Sequence, residues 1–161
     1  MQEIHLKVIG YKQQLLVVAA NQLVVSYAVA TSQHGFGEEQ NSYKTPRGWH
    51  EIKEKIGENC PTNTVFVGRK STGGIYSSEL KQQFPERDWI LTRILRLSGL
   101  EEGKNLSGNV DSFARYIYIH GTPDDVILGV PSSHGCIRMR NRDLIELFDL
   151  VKIGTKVLIE E

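Results

Sequence analysis

The sequence predicts a mainly β fold, either a β-sandwich or a partly closed barrel, with one clear helix near its carboxyl end. Short apolar or alternating runs recur along the chain, separated by polar or glycine-containing breaks. A single segment, after residue 140, spaces its apolar residues as a helix does. The chain has 161 residues, of which 40% are hydrophobic, so we expect one domain over residues 1–161 with a core of its own.

Strands are predicted where apolar and polar residues alternate or where a short apolar run lies between turn residues. The predicted strands are residues 4–8, 14–19, 23–29, 49–55, 64–67, 88–97, 113–119 and 156–159. Asn21 and Gln22 are expected to form the hairpin turn between the second and third strands. Thr45-Pro46-Arg47-Gly48 is expected to form a turn before the fourth strand, because proline fixes φ and glycine relieves a bend.

The remaining elements are loops and the helix. Residues 57–87 concentrate Gly, Pro, Ser and Thr, so we expect a long excursion that contains one short strand, at 64–67. The helix is predicted to begin at Asn141 as its N-cap and to end at Gly154. Its apolar face is formed by Leu144, Leu147, Phe148 and Val151.

Composition excludes several classes of protein. Lys and Arg together number 19, as do Asp and Glu, so the basic excess typical of nucleic-acid binding is absent. The apolar run at residues 15–20 is too short to span a bilayer and lacks the flanks of a secretory signal. We therefore expect a cytoplasmic protein without a membrane partner, or a periplasmic one if an export signal precedes Met1 in the native protein. Two cysteines, Cys60 and Cys136, make no disulfide framework, and Cys60 is expected to be an incidental thiol.

The residues best suited to chemistry lie in Ser132-Ser133-His134-Gly135-Cys136-Ile137-Arg138. A cysteine nucleophile needs a nearby base and donors aimed at the developing oxyanion. His120, followed by Gly121, ends the strongest predicted strand and is a suitable base. Pairing with a histidine is expected to lower the pKa of the Cys136 thiol.

Other interpretations of these residues remain open. Cys136 could be a buried, inert cysteine, or His120, His134 and Cys136 could hold zinc, although a fourth ligand is not evident. We favour the cysteine nucleophile, with no metal and no cofactor. Other polar residues are expected to lie at the surface: His5, His34, His50, Arg93 and Arg96.

Four motifs together resemble the YkuD-type L,D-transpeptidase catalytic domain. They are Thr45-Pro46-x-Gly48, Tyr118-Ile119-His120-Gly121, Ser133-His134-Gly135-Cys136-Ile137-Arg138-Met139 and Gly154-Thr155-Lys156-Val157. The resemblance extends from about residue 4 to residue 160, essentially the whole chain. It implies a β-rich fold and a cysteine acyl-enzyme mechanism.

The resemblance also implies a role for each site residue. Cys136 attacks the carbonyl of the third residue of a peptidoglycan stem tetrapeptide, a meso-diaminopimelate or a lysine, and the terminal D-alanine leaves. His120 exchanges the proton, and the main-chain carbonyl of Gly121 orients its ring, so the serine found there in many relatives is not required. The backbone N–H groups of His134, Gly135 and Cys136 form the oxyanion hole, and Ser133 supports it.

Arg138 either structures the nucleophile loop or meets a substrate carboxylate, and a simple surface ion pair is the alternative. The excursion at 57–87 is expected to form a flap over the site. A carbapenem-type inhibitor is expected to acylate Cys136.

The acceptor of the acyl group decides the reaction. With no recognisable export signal or wall-binding module, the leading prediction is a cytoplasmic L,D-carboxypeptidase that trims D-alanine from recycled muropeptides. The alternatives are an L,D-transpeptidase that forms peptidoglycan cross-links and a non-catalytic peptide-binding module.

Overall fold

The computed structural model describes residues 3–161 and is mainly β. The strands are β1 (Ile4–Ile9), β2 (Gln14–Ala19), β3 (Gln22–Ala30), β4 (Gly48–Ile56), β5 (Thr64–Val67), β6 (Lys70–Ile75), β7 (Leu91–Gly99), β8 (Tyr118–Gly121), β9 (Ile137–Met139) and β10 (Lys156–Glu160). The helices are α1 (Ser78–Gln83) and α2 (Asn141–Leu150), with 3₁₀ turns at Gly10–Lys12 and Gly108–Val110.

Eight strands close into a barrel-like ring, which confirms the barrel form of the predicted fold. Their order is β4-β10-β1-β2-β3-β9-β8-β7, and β7 pairs again with β4. The pairs β1–β10 and β8–β9 are parallel, and the other neighbours in the ring are antiparallel. Outside the ring, β5 pairs with β7 and carries β6 as a hairpin.

The helix α2 packs its apolar face into the ring. Leu144, Leu147 and Phe148 are buried in one cluster with residues from β1, β7 and β8. The predicted helical spacing of these residues is therefore confirmed, and their burial contributes most of the free energy that holds α2 in place. In the described part of the chain, no helix is long and apolar enough to cross a membrane.

The excursion at 57–87 contains more structure than the sequence predicts. The expected strand is present as β5, but β6 and α1 follow it. The turn between β5 and β6 has only two residues, Gly68 and Arg69, both at positive φ, as tight hairpins require. The side chain of Ser77 caps α1 by accepting from the N–H of Leu80 at 3.1 Å. The glycines of β6 and the short length of α1 hide both elements from pattern reading.

Other boundaries also differ from those predicted, and α2 ends at Leu150 rather than at Gly154, because Val151 is already extended. The first hairpin turns at Ala20 and Asn21, both at positive φ, rather than at Asn21 and Gln22. Of the strand predicted at 113–119, only its end belongs to β8, because Asp111 accepts from the backbone of Ala114 and Arg115 and holds residues 112–116 in turns. The N-cap of α2 is Arg140, not Asn141, whose side chain is buried in hydrogen bonds elsewhere.

Three polar residues expected at the surface are buried. His50 is 0% exposed, with its ring nitrogens 3.0 Å from the Gly48 carbonyl and 2.8 Å from the Ser112 hydroxyl. Arg93 donates to the carbonyls of Cys60 and Thr92. A further buried guanidinium, that of Arg96, pairs with Glu54 at 2.9 Å and stacks on Phe113. Each of these side chains is buried because it forms hydrogen bonds or an ion pair with a residue distant in sequence, which sequence patterns do not reveal.

Candidate active site

Strand pairing brings Cys136 and His120 to one edge of the ring. In the parallel pair β8–β9, Ile119 lies opposite Ile137 and His120 opposite Arg138. Cys136, the residue before β9, therefore lies beside Tyr118, and its Sγ is 3.3 Å from the Tyr118 nitrogen, whose N–H donates to it. The thiol in turn donates to the Tyr116 carbonyl at 3.4 Å. The nucleophile is thus held between two backbone groups, and Cys136 remains partly exposed.

The ring of His120 is fixed by the next residue. Its Nδ1 lies 2.7 Å from the carbonyl oxygen of Gly121, and the residue is 1% exposed. A carbonyl only accepts, so Nδ1 carries the proton and Nε2 keeps a lone pair. Burial holds the pKa of His120 below its ordinary value, although Asp88 and the Gly121 carbonyl act in the opposite direction. The arrangement provides a neutral imidazole that can accept a proton.

The Cys136 thiol is protonated in the free protein, contrary to the expected lowering of its pKa. Burial raises the pKa to about 12, and the nearby Asp88 adds to the rise, against the opposing effects of the Tyr118 N–H, Arg138 and Arg115. A neutral imidazole also carries no charge to stabilise a thiolate. The raised pKa of the thiol and the lowered pKa of the imidazole both favour the neutral forms of the two groups.

The loop before Cys136 is built around Gly135. Its φ of +127° lies in the region that side chains rarely adopt, so glycine is required there. The Ser133 hydroxyl donates to the carbonyl of Cys136 and accepts from the N–H of Gly135. Thr45 anchors the loop from the other side, because its hydroxyl donates to the Gly135 carbonyl at 3.0 Å. The Thr45-Pro46-x-Gly48 motif thus supports the nucleophile directly.

The oxyanion donors are fewer than the resemblance implies. The N–H of Gly135 is already used by Ser133. Within residues 3–161, neither the His134 nor the Cys136 N–H has a hydrogen-bond acceptor. These two N–H groups are therefore the donors that the loop can offer to a developing oxyanion.

Gly121 has no room for a side chain. An added Cβ would lie 2.1 Å from Asn141 Oδ1 and 2.5 Å from the Leu91 carbonyl oxygen. The Asn141 oxygen is held in turn by the Thr92 hydroxyl at 2.7 Å, and its amide donates to the Thr122 carbonyl at 2.9 Å. The sequence predicted only that serine is not required at position 121. The structure shows that the packing around this position requires glycine.

Asp88 is a site residue that sequence reasoning missed. Its carboxylate accepts from Arg138 Nη2 at 2.7 Å and lies 3.6 Å from His134 Nδ1. Burial alone would raise the pKa of Asp88, but the neighbouring His120, Arg138 and His134 side chains hold it below its ordinary value. A lone aspartate 48 positions before Cys136 carries no pattern that would reveal it.

Arg138 structures the nucleophile loop, as one of the expected roles has it. Besides its pair with Asp88, it donates to the Ser132 carbonyl at 3.2 Å, and its side chain is only 12% exposed. A freely exposed ion pair would not be so enclosed. The guanidinium therefore ties Asp88 to the loop that carries the nucleophile.

A cavity of about 310 Å³ opens beside the Cys136 sulfur. Tyr43, Arg115, Tyr116 and His134 line it with Cys136. In the described residues, no group of three or more His, Cys, Asp or Glu side chains is placed to hold a metal ion. The zinc set considered from the sequence, His120, His134 and Cys136, is therefore not among groups placed to hold a metal in the described residues.

Cys60 is not as isolated as the sequence suggested. Both cysteines are free thiols and pack against the same small cluster of Phe66, Ile94 and Tyr118. The β5–β6 hairpin reaches the site through Arg69, whose guanidinium donates to the Tyr118 hydroxyl at 3.1 Å. One part of the predicted flap therefore borders the nucleophile.

Comparisons with known proteins agree with this geometry. The probable L,D-transpeptidase ErfK/SrfK of Salmonella typhimurium is 36% identical over 119 residues, which are 61% of this chain and 38% of that protein. The probable L,D-transpeptidase YbiS of Escherichia coli is 46% identical over 43 residues, 27% and 14% of the two chains. The chain therefore spans well under half the length of these relatives.

Solved structures share the fold. L,D-transpeptidase 3 from Mycobacterium tuberculosis, in complex with a faropenem-derived adduct, superposes with a TM-score of 0.59 at 15% identity, over 99% of this chain and 61% of that one. The model of the YkuD family, the L,D-transpeptidase catalytic domain, matches residues 5–159. That match includes the nucleophile loop, the His120 strand and the ring that holds them, and the chain accordingly belongs to the YkuD family of L,D-transpeptidase catalytic domains.

Proposed function

We propose that the protein is an L,D-carboxypeptidase that removes the terminal D-alanine from the tetrapeptide stems of soluble muropeptides. The observation that carries the chemistry is that the β8–β9 pairing places Cys136, held by the Tyr118 N–H, near the His120 ring, held by the Gly121 carbonyl. Such a pair provides a nucleophile and a base without a cofactor.

The reaction has two halves. The Cys136 sulfur attacks the carbonyl carbon of the third stem residue, while His120 Nε2 takes the thiol proton and the oxyanion accepts from the backbone of His134 and Cys136. The imidazolium then gives its proton to the departing D-alanine amine, which leaves a thioester. In the second half, His120 takes a proton from water, the hydroxide attacks the thioester, and the proton returns to sulfur as the tripeptide leaves.

Water is the proposed acceptor because the space at the nucleophile is small. The cavity of about 310 Å³ is at the lower end of the range for ligand sites, about 300–1,000 Å³, and fits the reacting end of one stem peptide. We further propose that the protein acts in the cytoplasm, where soluble turnover products are found.

L,D-transpeptidation is the second candidate, favoured by the names of the relatives. A further cavity of about 170 Å³, lined in part by Asp88 and Arg138, would be available to an acceptor amine. The two candidates share the first half-reaction and differ only in what resolves the thioester.

Isotope labelling separates the two candidates. The protein is incubated with a disaccharide-tetrapeptide in H₂¹⁸O, with and without a second stem peptide as acceptor, and the products are weighed by mass spectrometry. A carboxypeptidase yields tripeptide with one ¹⁸O in its new carboxylate in both conditions. Unlabelled cross-linked dimers as the main product would replace the proposal with transpeptidation. The Cys136→Ala variant is the control and should release no D-alanine.

The proposed location has its own test. An antibody to the native protein should detect it in the cytoplasmic fraction of the source cell, together with a cytoplasmic marker enzyme. Recovery in the periplasmic or wall fraction would contradict the proposed location.

A further inference from the structure

Arg69 is presented to the active site by the tight turn between β5 and β6. Gly68 and Arg69 have φ values of +57° and +67°, the left-handed pair that a two-residue hairpin turn uses. Arginine seldom adopts this conformation, so the hairpin fixes where its side chain starts. The guanidinium Nη1 donates to the Tyr118 hydroxyl at 3.1 Å, and its central carbon lies 4.8 Å from the Tyr116 ring centroid.

The two tyrosines that hold Arg69 also flank the nucleophile. The backbone N–H of Tyr118 donates to Cys136 Sγ, and the thiol donates to the carbonyl of Tyr116. Tyr116 lines the cavity beside the sulfur as well. The guanidinium therefore contacts two residues that hold the nucleophile, one of which lines the cavity, and the Tyr118 side chain spans from its backbone beside Sγ to the guanidinium.

Arg69 has more free donors than the other arginines near the site: Arg115, which likewise makes no ion pair in the described part of the chain, already donates to the backbone carbonyls of Gly37, Glu38 and Lys44. Arg138 is paired with Asp88 and Arg96 with Glu54, both at hydrogen-bonding distance. Across residues 3–161, Arg69 makes no ion pair with a carboxylate. The Tyr118 hydroxyl occupies one of its five N–H donors, and the side chain is only half-buried. A planar fork of free donors is suited to a carboxylate.

We propose that Arg69 binds a carboxylate at the end of the third stem residue's side chain, so that the enzyme prefers diaminopimelate to lysine at that position. The inference rests on the proposed donor chemistry, which places the carbonyl of the third residue at Sγ. The side chain of that residue then starts beside the sulfur, and a chain about as long as tyrosine reaches the guanidinium. Diaminopimelate brings a carboxylate there, whereas lysine brings only an ammonium group, which the guanidinium repels.

The test measures D-alanine release from three tetrapeptides that differ only in the third residue. They contain meso-diaminopimelate, diaminopimelate with its side-chain carboxylate amidated, or L-lysine. We expect kcat/KM to be about tenfold to a hundredfold higher for the free carboxylate than for the other two, the scale of one charge-assisted hydrogen-bonded contact. Arg69→Met should bring the three values to within about threefold of one another, and Arg69→Glu should place the free carboxylate last.

Lys70→Met is the matched control, because Lys70 is an exposed cation at the next position. It should keep the wild-type preference. The inference is overturned if Arg69→Met, folded by its thermal melting, keeps the preference for diaminopimelate, or if the wild-type protein does not discriminate among the donors. Release of D-alanine belongs to the first half-reaction, so cross-linked products would refute the carboxypeptidase proposal without affecting this comparison. No release from any donor would refute both.

Discussion

Replacing Gly121 by alanine tests whether the base is held by packing. The added Cβ meets Asn141 Oδ1 at 2.1 Å and the Leu91 carbonyl oxygen at 2.5 Å, both far inside ordinary contact. The Asn141 side chain can retreat only by giving up its hydrogen bond with Thr92, and the carbonyl belongs to β7. Overpacking costs about 1–3 kcal/mol and a lost buried hydrogen bond about 1 kcal/mol, so we expect a loss of about 3 kcal/mol.

Thermal unfolding and D-alanine release measure the two consequences. In a domain of this size each kcal/mol lowers Tm by about 2–4 °C, so Gly121→Ala should melt about 10 °C lower. Its kcat should fall at least about tenfold, because the carbonyl that orients His120 Nδ1 is displaced. Gly74→Ala is the control, since its added Cβ meets nothing closer than a threonine hydroxyl at 3.3 Å. Full activity and a Tm within about 2 °C of the wild type would refute the reasoning.

Three further predictions concern the thiol, the base and buried His50. Cys136→Ala should abolish both D-alanine release and adduct formation with a carbapenem, whereas Cys60→Ala should retain them, as followed by mass spectrometry. Because burial raises the Cys136 pKa to about 12, iodoacetamide at pH 7 should label Cys136 no faster than Cys60. Preferential labelling of Cys136 would show a thiolate instead. His120→Ala should lower kcat by about a hundredfold or more and His134→Ala by less. Since burial lowers the His120 pKa and the neutral ring is the base, wild-type kcat should rise with pH, level off below pH 6.5 and stay constant to about pH 9. A kcat that is still rising above pH 7 would contradict the assignment. Burial also lowers the His50 pKa to about 4, so the unfolded chain gains a proton that native His50 does not as pH falls from 6.5 to 4. His50 should therefore contribute about 2 kcal/mol to the loss of native-state stability between pH 7.5 and pH 5, measured by urea unfolding, and His50→Gln should reduce the loss by that amount.

The site could be anticipated where its chemistry lies in short motifs. The family resemblance carried by the Ser-His-Gly-Cys segment and the upstream His-Gly implied the contact between His120 and the Gly121 carbonyl, which the structure has at 2.7 Å. Thr45 also stood out in its motif, although its bond to the Gly135 carbonyl was not foreseen. Local sequence constrains backbone conformation, and these contacts depend chiefly on it.

Contacts between distant segments were not predictable. Asp88 reaches the site only because the end of the excursion passes Arg138, and Arg69 only because the β5–β6 turn folds onto Tyr118. The prediction that the pKa of the Cys136 thiol is lowered was wrong for the same reason. Burial raises this pKa, and the burial of the sulfur depends on side chains from the whole ring. A strand was likewise predicted through residues 113–117, where a single aspartate, Asp111, instead fixes a turn.

The position of β10 in the ring has a consequence for synthesis on the ribosome. β10 is the strand of the ring that comes latest in the described chain, yet it lies between β1 and β4. Until residues 156–160 have emerged, the facing edges of β1 and β4 have no partner, and unpaired edges are templates for association between chains. Nascent chains stalled or cleaved before residue 156 should therefore aggregate, even though the nucleophile and its base have already been made.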